Sequence, residues 1–162
     1  MAFIVEDGTG VEDANALIDL NFLSDYASNR NIDLSAYPLD AQKQGAIVIA
    51  SVDYCDTYFT FSGEKLNTDQ GMQIPSNKVP LNNQIKTAIA MAAVLHLQGR
   101  LFVLATDVDR KALTSESKGV GPVSESKTYS ENWQYTTKYP TGTIDRILNK
   151  YSIGGFGSLL RG

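Results

Sequence analysis

The chain has 162 residues, with 14 Lys plus Arg against 18 Asp plus Glu, and one each of His, Cys and Trp. That length, at 43% hydrophobic residues, suits one ordinary domain with its own core rather than a disordered chain. The net charge of −4 argues against a general duplex-DNA binder, and one Cys with one His supplies neither a disulfide framework nor a structural zinc site.

The first ten residues contain Glu6 and Asp7 but no basic run, so they do not read as a secretory signal. Residues 6–10 read as a turn-rich loop. Asp19 is the expected N-cap of a first helix, with Leu20, Phe22, Leu23, Tyr26 and Ala27 at helical spacing and an end near 29–31. Asp40 is the expected cap of a second helix predicted to reach about Phe59. Ile47, Ala50, Tyr54 and Tyr58 form one face of it, and Val48, Val52, Cys55 and Phe59 an adjacent one. That surface is wider than the apolar stripe of a surface helix, so the helix is either central or covered by a neighbouring subunit.

Residues 60–81, with Gly63, Gly71, Pro75 and Pro80, read as a long loop, a length that goes with functional contacts or ordered lids. Asn82 or Asn83 caps a third helix predicted to run to about Leu104. Ala88, Ala90, Ala92 and Ala93 in its middle permit close helix packing. The apolar run 85–105 also holds Lys86, His96, Gln98 and Arg100. It reads as a buried helix and not as a membrane span, which needs about 20 mainly apolar residues.

The tetrapeptide Ser-Glu-Ser-Lys occurs twice, at 115–118 and 124–127, on either side of Gly119-Val-Gly-Pro122. Polar segments around such a turn predict a β-hairpin over about 112–129. A hairpin that is polar on both faces is marginal alone, and is easier to explain if it projects and pairs with equivalent hairpins. A symmetric four-residue loop would set Glu116 opposite Glu125, which is unfavourable, so the register stays open. Thr141 or Thr143 caps a short last helix with Ile144, Ile147, Leu148 and Tyr151. Residues 152–162 form a Gly-rich tail whose Phe156, Leu159 and Leu160 suggest that it docks into something. The fold class read from these elements is mainly α. It is a small bundle of about four helices over 1–151, with a projecting polar β-hairpin and an extended C-terminal tail over 152–162.

The chemical motifs are weak. Both Ser-Glu-Ser-Lys copies match the nucleophile pattern of penicillin-binding enzymes, but they sit in predicted strands and lack the partner motifs. His96 lies mid-helix with no ligand one turn away, and Cys55 reads as a small buried hydrophobe. Asp107 and Asp109 are too few for a divalent-ion site, and Gly119-Val-Gly121 precedes no helix. No catalytic, metal or cofactor site is read. Tyr129, Trp133, Tyr135 and Tyr139, interleaved with Lys127 and Lys138, resemble a stacking platform for single-stranded nucleic acid, although the stretch is poor in basic residues.

In order, Val5-Glu-Asp-Gly-Thr-Gly10, Ala14-Asn15, Tyr26 with Arg30-Asn31, Phe59-x-Phe61-x-Gly63 and Ile74-Pro75 resemble the pattern of tailed-bacteriophage head–tail connector proteins. The Gly119-Val-Gly-Pro122 hairpin, Tyr139-Pro140, the short helix and the tail ending Arg161-Gly162 are similar to that family's C-terminal half. Members often carry Trp-Pro in the long loop, where this chain has Gln73-Ile-Pro75, and Arg after the Phe-x-Gly segment, where it has Glu64-Lys65. Some members are labelled DnaT-like single-stranded-DNA-binding proteins.

The resemblance implies a structural virion protein and not an enzyme. It would be a neck adaptor, assembled in the host cytoplasm, that completes the head as a closed ring of about twelve subunits under the portal. Its partners would be the portal protein, further copies of itself, a downstream neck, stopper or tail protein, and genomic DNA sliding through the lumen without sequence-specific contacts. No cofactor and no membrane is implied. Gly154, Gly155, Phe156, Leu159, Leu160 and Arg161 would bind the portal, and Tyr54, Tyr58, Phe61, Ile74 and Pro75 would lie between subunits. Glu116, Lys118, Glu125 and Lys127 of the hairpin would line the channel, with the sign of its potential left open by their alternation. The alternative is a single-stranded-DNA-binding protein that uses Tyr129, Trp133, Tyr135 and Tyr139.

Overall fold

The computed structural model describes residues 2–102, 113–118, 125–129 and 141–154, with the backbone alone described for 113–118, 125–129 and Gly154. Among the described residues there are four helices, α1 (Leu20–Ser28), α2 (Asp40–Val48, continued by a π-helical segment Ile49–Asp56), α3 (Asn83–Leu97) and α4 (Gly142–Leu148). Two small antiparallel sheets accompany them. One pairs β1 (Thr60–Phe61) with β4 (Ser152–Gly154), and the other pairs β2 (Leu113–Lys118) with β3 (Glu125–Tyr129). The mainly α architecture with a polar hairpin is the one expected.

Helix α3 is the centre of the molecule. Ile85, Ala88, Ile89, Ala90, Ala92, Ala93 and Val94 are all buried, and α1, α2, the π segment and α4 pack around it. Small alanines let those neighbours approach closely, and Ile85 and Ile89 fill the space between them. Asn82 caps α3 as expected, its Oδ1 accepting from the Gln84 and Ile85 N–H groups at 2.9 and 3.1 Å. The helix stops at Leu97, not at about Leu104. Gly99 takes φ +68°, its N–H reaches the His96 carbonyl at 2.9 Å, and the Arg100 N–H reaches the Leu95 carbonyl at 2.8 Å. This is a Schellman closure, which a glycine accommodates without Cβ strain. The Tyr37 hydroxyl also donates to the Leu97 carbonyl at 2.5 Å.

Asp40 is the first residue of the second helix and not its cap, a place taken by Leu39 with no side-chain cap bond, and from Ile49 the turns widen to π geometry. Its buried positions are Ala46, Ile47, Ala50, Ser51, Tyr54, Cys55 and Phe59, pairs recurring about every four residues. In a pure α-helix a four-residue repeat drifts about 40° per repeat, because each turn holds 3.6 residues. The i→i+5 bonding of the π segment widens the turn and keeps the repeat facing α3. Thr57 closes the segment, its hydroxyl donating to the Val52 carbonyl at 2.9 Å.

The N-terminal residues are more ordered than their lack of periodicity suggests. Buried Glu6 folds the loop after it. Oε1 accepts from the Gly8 and Gly10 N–H groups at 2.9 and 3.0 Å, and Oε2 from Val11 at 2.9 Å. Asn15 ties the chain start, accepting from the Ile4 N–H and donating to the Ala2 carbonyl. Ala14, Ala16, Leu17 and Ile18 then enter the core, and the Leu17 N–H donates to the hydroxyl of buried Ser51 in the π segment at 3.0 Å.

Candidate functional site

Three places hold most of the residues expected to meet a partner, namely the long loop, the root of the C-terminal segment, and the hairpin. The loop over 62–80 is held by its own side chains. Buried Gln70 accepts from the Leu66 N–H through Oε1 at 3.1 Å and donates through Nε2 to the Met72 and Pro75 carbonyls at 2.8 and 2.7 Å. Gln73 joins the loop to the end of the π segment, donating from Nε2 to the Asp56 and Phe59 carbonyls and from its N–H to Asp56 Oδ1 at 2.8 Å. Ser76 accepts from the Val79 N–H and donates to the Ser62 carbonyl. A Cβ at Gly71 would overlap the Ala14 carbonyl, so the loop and the N-terminal segment touch backbone to backbone there. Met72, Ile74 and Val79 point into the core, and the Ile74–Pro75 peptide is cis.

These contacts decide where the residues expected between subunits lie. Tyr54, Phe61, Ile74 and Pro75 are buried within the chain's own core, while Tyr58 is 40% exposed. The Tyr54 hydroxyl donates to the Asp145 carboxylate of α4, which also accepts from Thr141 at 3.1 Å. Burial, then the hydrogen bond and charge of Asp145, raise the Tyr54 pKa far above the ordinary phenol range. Tyr54 thus fastens the π segment to α4. Tyr58 packs with Tyr54 and with Phe102, ring centroids 5.9 and 6.4 Å apart, and Phe102 is 49% exposed. The sequence does not single out Phe102, because the predicted third helix carries it past Gly99. Once the helix stops there, Phe102 no longer lies on the face toward the core.

The root of the C-terminal segment lies beside this surface, since β1 follows Tyr58 by two residues. Thr60 pairs with Gly154 and Phe61 with Ser152. The first three residues read from the sequence as tail are therefore a strand on the helical body. Ile153 is 73% exposed. The signal for this strand was the β-branched Ile153 between Tyr151 and the glycines. Gly155, Phe156, Leu159, Leu160 and Arg161 lie outside the described residues.

The hairpin pairs Lys118 with Glu125, Ser117 with Ser126, Glu116 with Lys127 and Ser115 with Thr128. The register is displaced by two residues from the symmetric four-residue loop, and it replaces the unfavourable Glu116–Glu125 opposition with two Glu–Lys oppositions. Alternation along the strands puts Glu116, Lys118, Glu125 and Lys127 on one face and Ser115, Ser117, Ser126 and Thr128 on the other. Of the proposed stacking platform, Tyr129 ends β3, and Trp133, Tyr135 and Tyr139 lie outside the described residues.

The other sequence candidates have structural settings. Cys55 is fully buried, which raises its thiol pKa far above the usual range and leaves it inert. His96 is half-buried in the last turn of α3. The first Ser-Glu-Ser-Lys lies in β2, so Ser115 and Lys118 do not sit one helical turn apart, and of the second Glu125–Lys127 lie in β3 while Ser124 lies outside the described residues. Asp107 and Asp109 lie outside the described residues, and among the described residues no group of three His, Cys, Asp or Glu could hold a metal ion. No helix is long and apolar enough to cross a membrane among the described residues. Tyr26 and Arg30 of the N-terminal motif form a cation–π pair, the guanidinium carbon 4.1 Å from the ring centroid.

Neither the curated proteins nor the solved structures returned a match to this chain. A family model does match, over residues 1–161, from the Glu6 loop through the core and the hairpin into the tail. The chain therefore belongs to the family described as "Putative DnaT-like ssDNA binding protein".

Proposed function

We propose that the chain is a structural neck protein of a tailed phage, a head–tail adaptor that rings the exit of the portal, extends the DNA channel and carries the next neck or tail component. One observation supports this best. The pairing of β4 with β1 holds the start of the C-terminal segment on the helical body, beside exposed Tyr58 and Phe102. An apolar tail rooted at a fixed point can insert into a neighbouring protein at a lower ordering cost than a tail hung on a free linker. In this reading Phe156, Leu159 and Leu160 enter clefts between portal subunits, and Arg161 meets a carboxylate or carbonyl there. Tyr58 and Phe102 belong to the side-to-side contact that closes the ring.

The test is truncation after Gly154, which keeps β4 paired. The truncated chain should keep its Tm within about 2 °C, a shift worth about 0.5–1 kcal/mol, and lose binding to its portal ring in co-sedimentation. Undiminished portal binding would sink the tail's role.

A second reading is favoured by the family description, which speaks of single-stranded DNA. Here Tyr129, Trp133, Tyr135 and Tyr139 would stack bases, with Lys127 and Lys138 near the phosphates. A net charge of −4 gives this reading little electrostatic support. Anisotropy of a labelled oligonucleotide at low salt decides it. Binding that weakens with salt and with Trp133→Ala plus Tyr135→Ala supports it, and no binding retires it.

A further inference from the structure

The two hairpin strands carry the same three residues in the same order, Glu116-Ser117-Lys118 in β2 and Glu125-Ser126-Lys127 in β3. Antiparallel pairing of Glu-Ser-Lys with another Glu-Ser-Lys always sets Glu opposite Lys, Ser opposite Ser and Lys opposite Glu. The observed register is this one. Each strand is therefore written to pair with any copy of the other, whether in the same chain or in a second one. Within the described residues β2 and β3 form a two-stranded sheet, with no third strand paired to either outer edge. A polar two-stranded ribbon is marginal alone, and unpaired edges recruit further strands.

We propose that the outer edge of β3 pairs with the outer edge of β2 from the next copy of this chain, in the register used inside the hairpin, so that the hairpins join into one continuous antiparallel sheet. The proposal rests on the ring reading above, and it names the contact that the ring uses at the hairpin. Rotation about a ring axis preserves the sense of each strand along that axis. The β3 strand of one copy and the β2 strand of the next therefore run antiparallel, as they do within a chain. Repeating this heterologous contact closes the sheet and leaves no edge.

Charge also selects the register. A slip of two residues, which keeps the faces aligned, opposes Glu116 to Glu125 in one direction and Lys118 to Lys127 in the other. A slip of one residue moves the charged face against the Ser/Thr face. Only the register of the intrachain pair avoids both penalties.

Two single-cysteine chains test this, Ser117→Cys and Ser126→Cys, mixed and oxidised with and without portal rings present. Opposed cross-strand positions lie close enough for a disulfide. Native Cys55 is fully buried and does not compete. The expected product is the mixed dimer, several-fold above either homodimer. A third chain, Glu116→Lys with Lys127→Glu, keeps every intrachain and β3-to-β2 opposition. It sets Lys against Lys in any β2-to-β2 pairing, so the mixed cross-link should survive in that background. A dominant Ser117→Cys homodimer that disappears in that background would mean a two-fold contact and overturn the proposal. Electron micrographs of the same samples separate the two claims. Rings without the mixed cross-link overturn the strand pairing and leave the ring reading standing. The mixed cross-link without rings supports the pairing and overturns the ring reading. Neither rings nor cross-link overturns both.

Discussion

Glu6, Gln70 and Asp56 show how single side chains hold this molecule where regular structure is thin. Gln70 alone serves three backbone groups of the long loop. Gln70→Ala leaves the Leu66 N–H and two carbonyls without these partners, and the expected loss is about 1–3 kcal/mol, measured by urea titration. An unchanged midpoint would mean that the loop does not depend on it. Asp56 acts in the opposite sense. Burial raises its pKa, against the lowering pull of the Gln73 N–H and the Lys65 ammonium. A carboxyl whose folded pKa lies above its unfolded value favours the fold most at low pH, and that contribution is lost as pH rises through the folded pKa. Asp56→Asn keeps an oxygen to accept from the Gln73 N–H and removes the half-buried charge. Its Tm should exceed that of the unaltered chain at pH 7, with the gap closing as pH falls toward about 4, the ordinary carboxylate range. A variant that is less stable at pH 7 would contradict this. Glu6 and Gln70 could not be recognised from the sequence as buried, because their partners are loop backbone groups brought near only by the fold.

At the scale of elements, local chemistry is legible at two of the announced caps, while neither Asp40 nor Thr141 makes a side-chain cap bond. Asp19 and Asn82 cap α1 and α3 as expected, their side chains accepting from Phe22 and from Gln84 and Ile85. Asn31, at φ +52°, ends the turn after α1 with the Ile32 N–H on the Ala27 carbonyl at 2.9 Å. The sequence predicts α3 too long because its apolar residues continue past Gly99, where the helix closes. The π segment was not legible, because a repeat of about four residues also suits an α-helix until its drift is followed over several turns. The hairpin was legible in position but not in register, since the loop length that sets the register is not specified by Gly119-Val-Gly-Pro122. The central packing gives a direct test. Ala92 is fully buried, and Ala92→Leu should cost about 1–3 kcal/mol through overpacking. A smaller change in the unfolding midpoint would mean that α3 is not held closely by its neighbours.

For the whole molecule, the adaptor reading would divide the work among the helical body, the root of the tail and the hairpin. The buried positions of Tyr54, Phe61, Ile74 and Pro75 show why an interface is hard to read from sequence. Apolar residues on a helix or loop look alike whether they face their own core or a neighbour, and only the packing of α3, α4 and the loop distinguishes the two. Tyr58, Phe102 and Ile153 are exposed in this region, and the adaptor reading would set them toward a neighbour. The shared face of Glu116, Lys118, Glu125 and Lys127 also sharpens the question of the lumen, because two acids and two bases on one face cancel. A channel lined by that face or by the Ser/Thr face would carry little net charge from the hairpin, and passing phosphates would be neither held nor strongly repelled. The most direct measurement is electron microscopy of the full chain mixed with portal rings. The adaptor reading predicts an added ring of density, coaxial with the portal and absent when the chain is truncated after Gly154. Bare portals under those conditions, together with salt-sensitive binding of a single-stranded oligonucleotide by the same preparation, would contradict it.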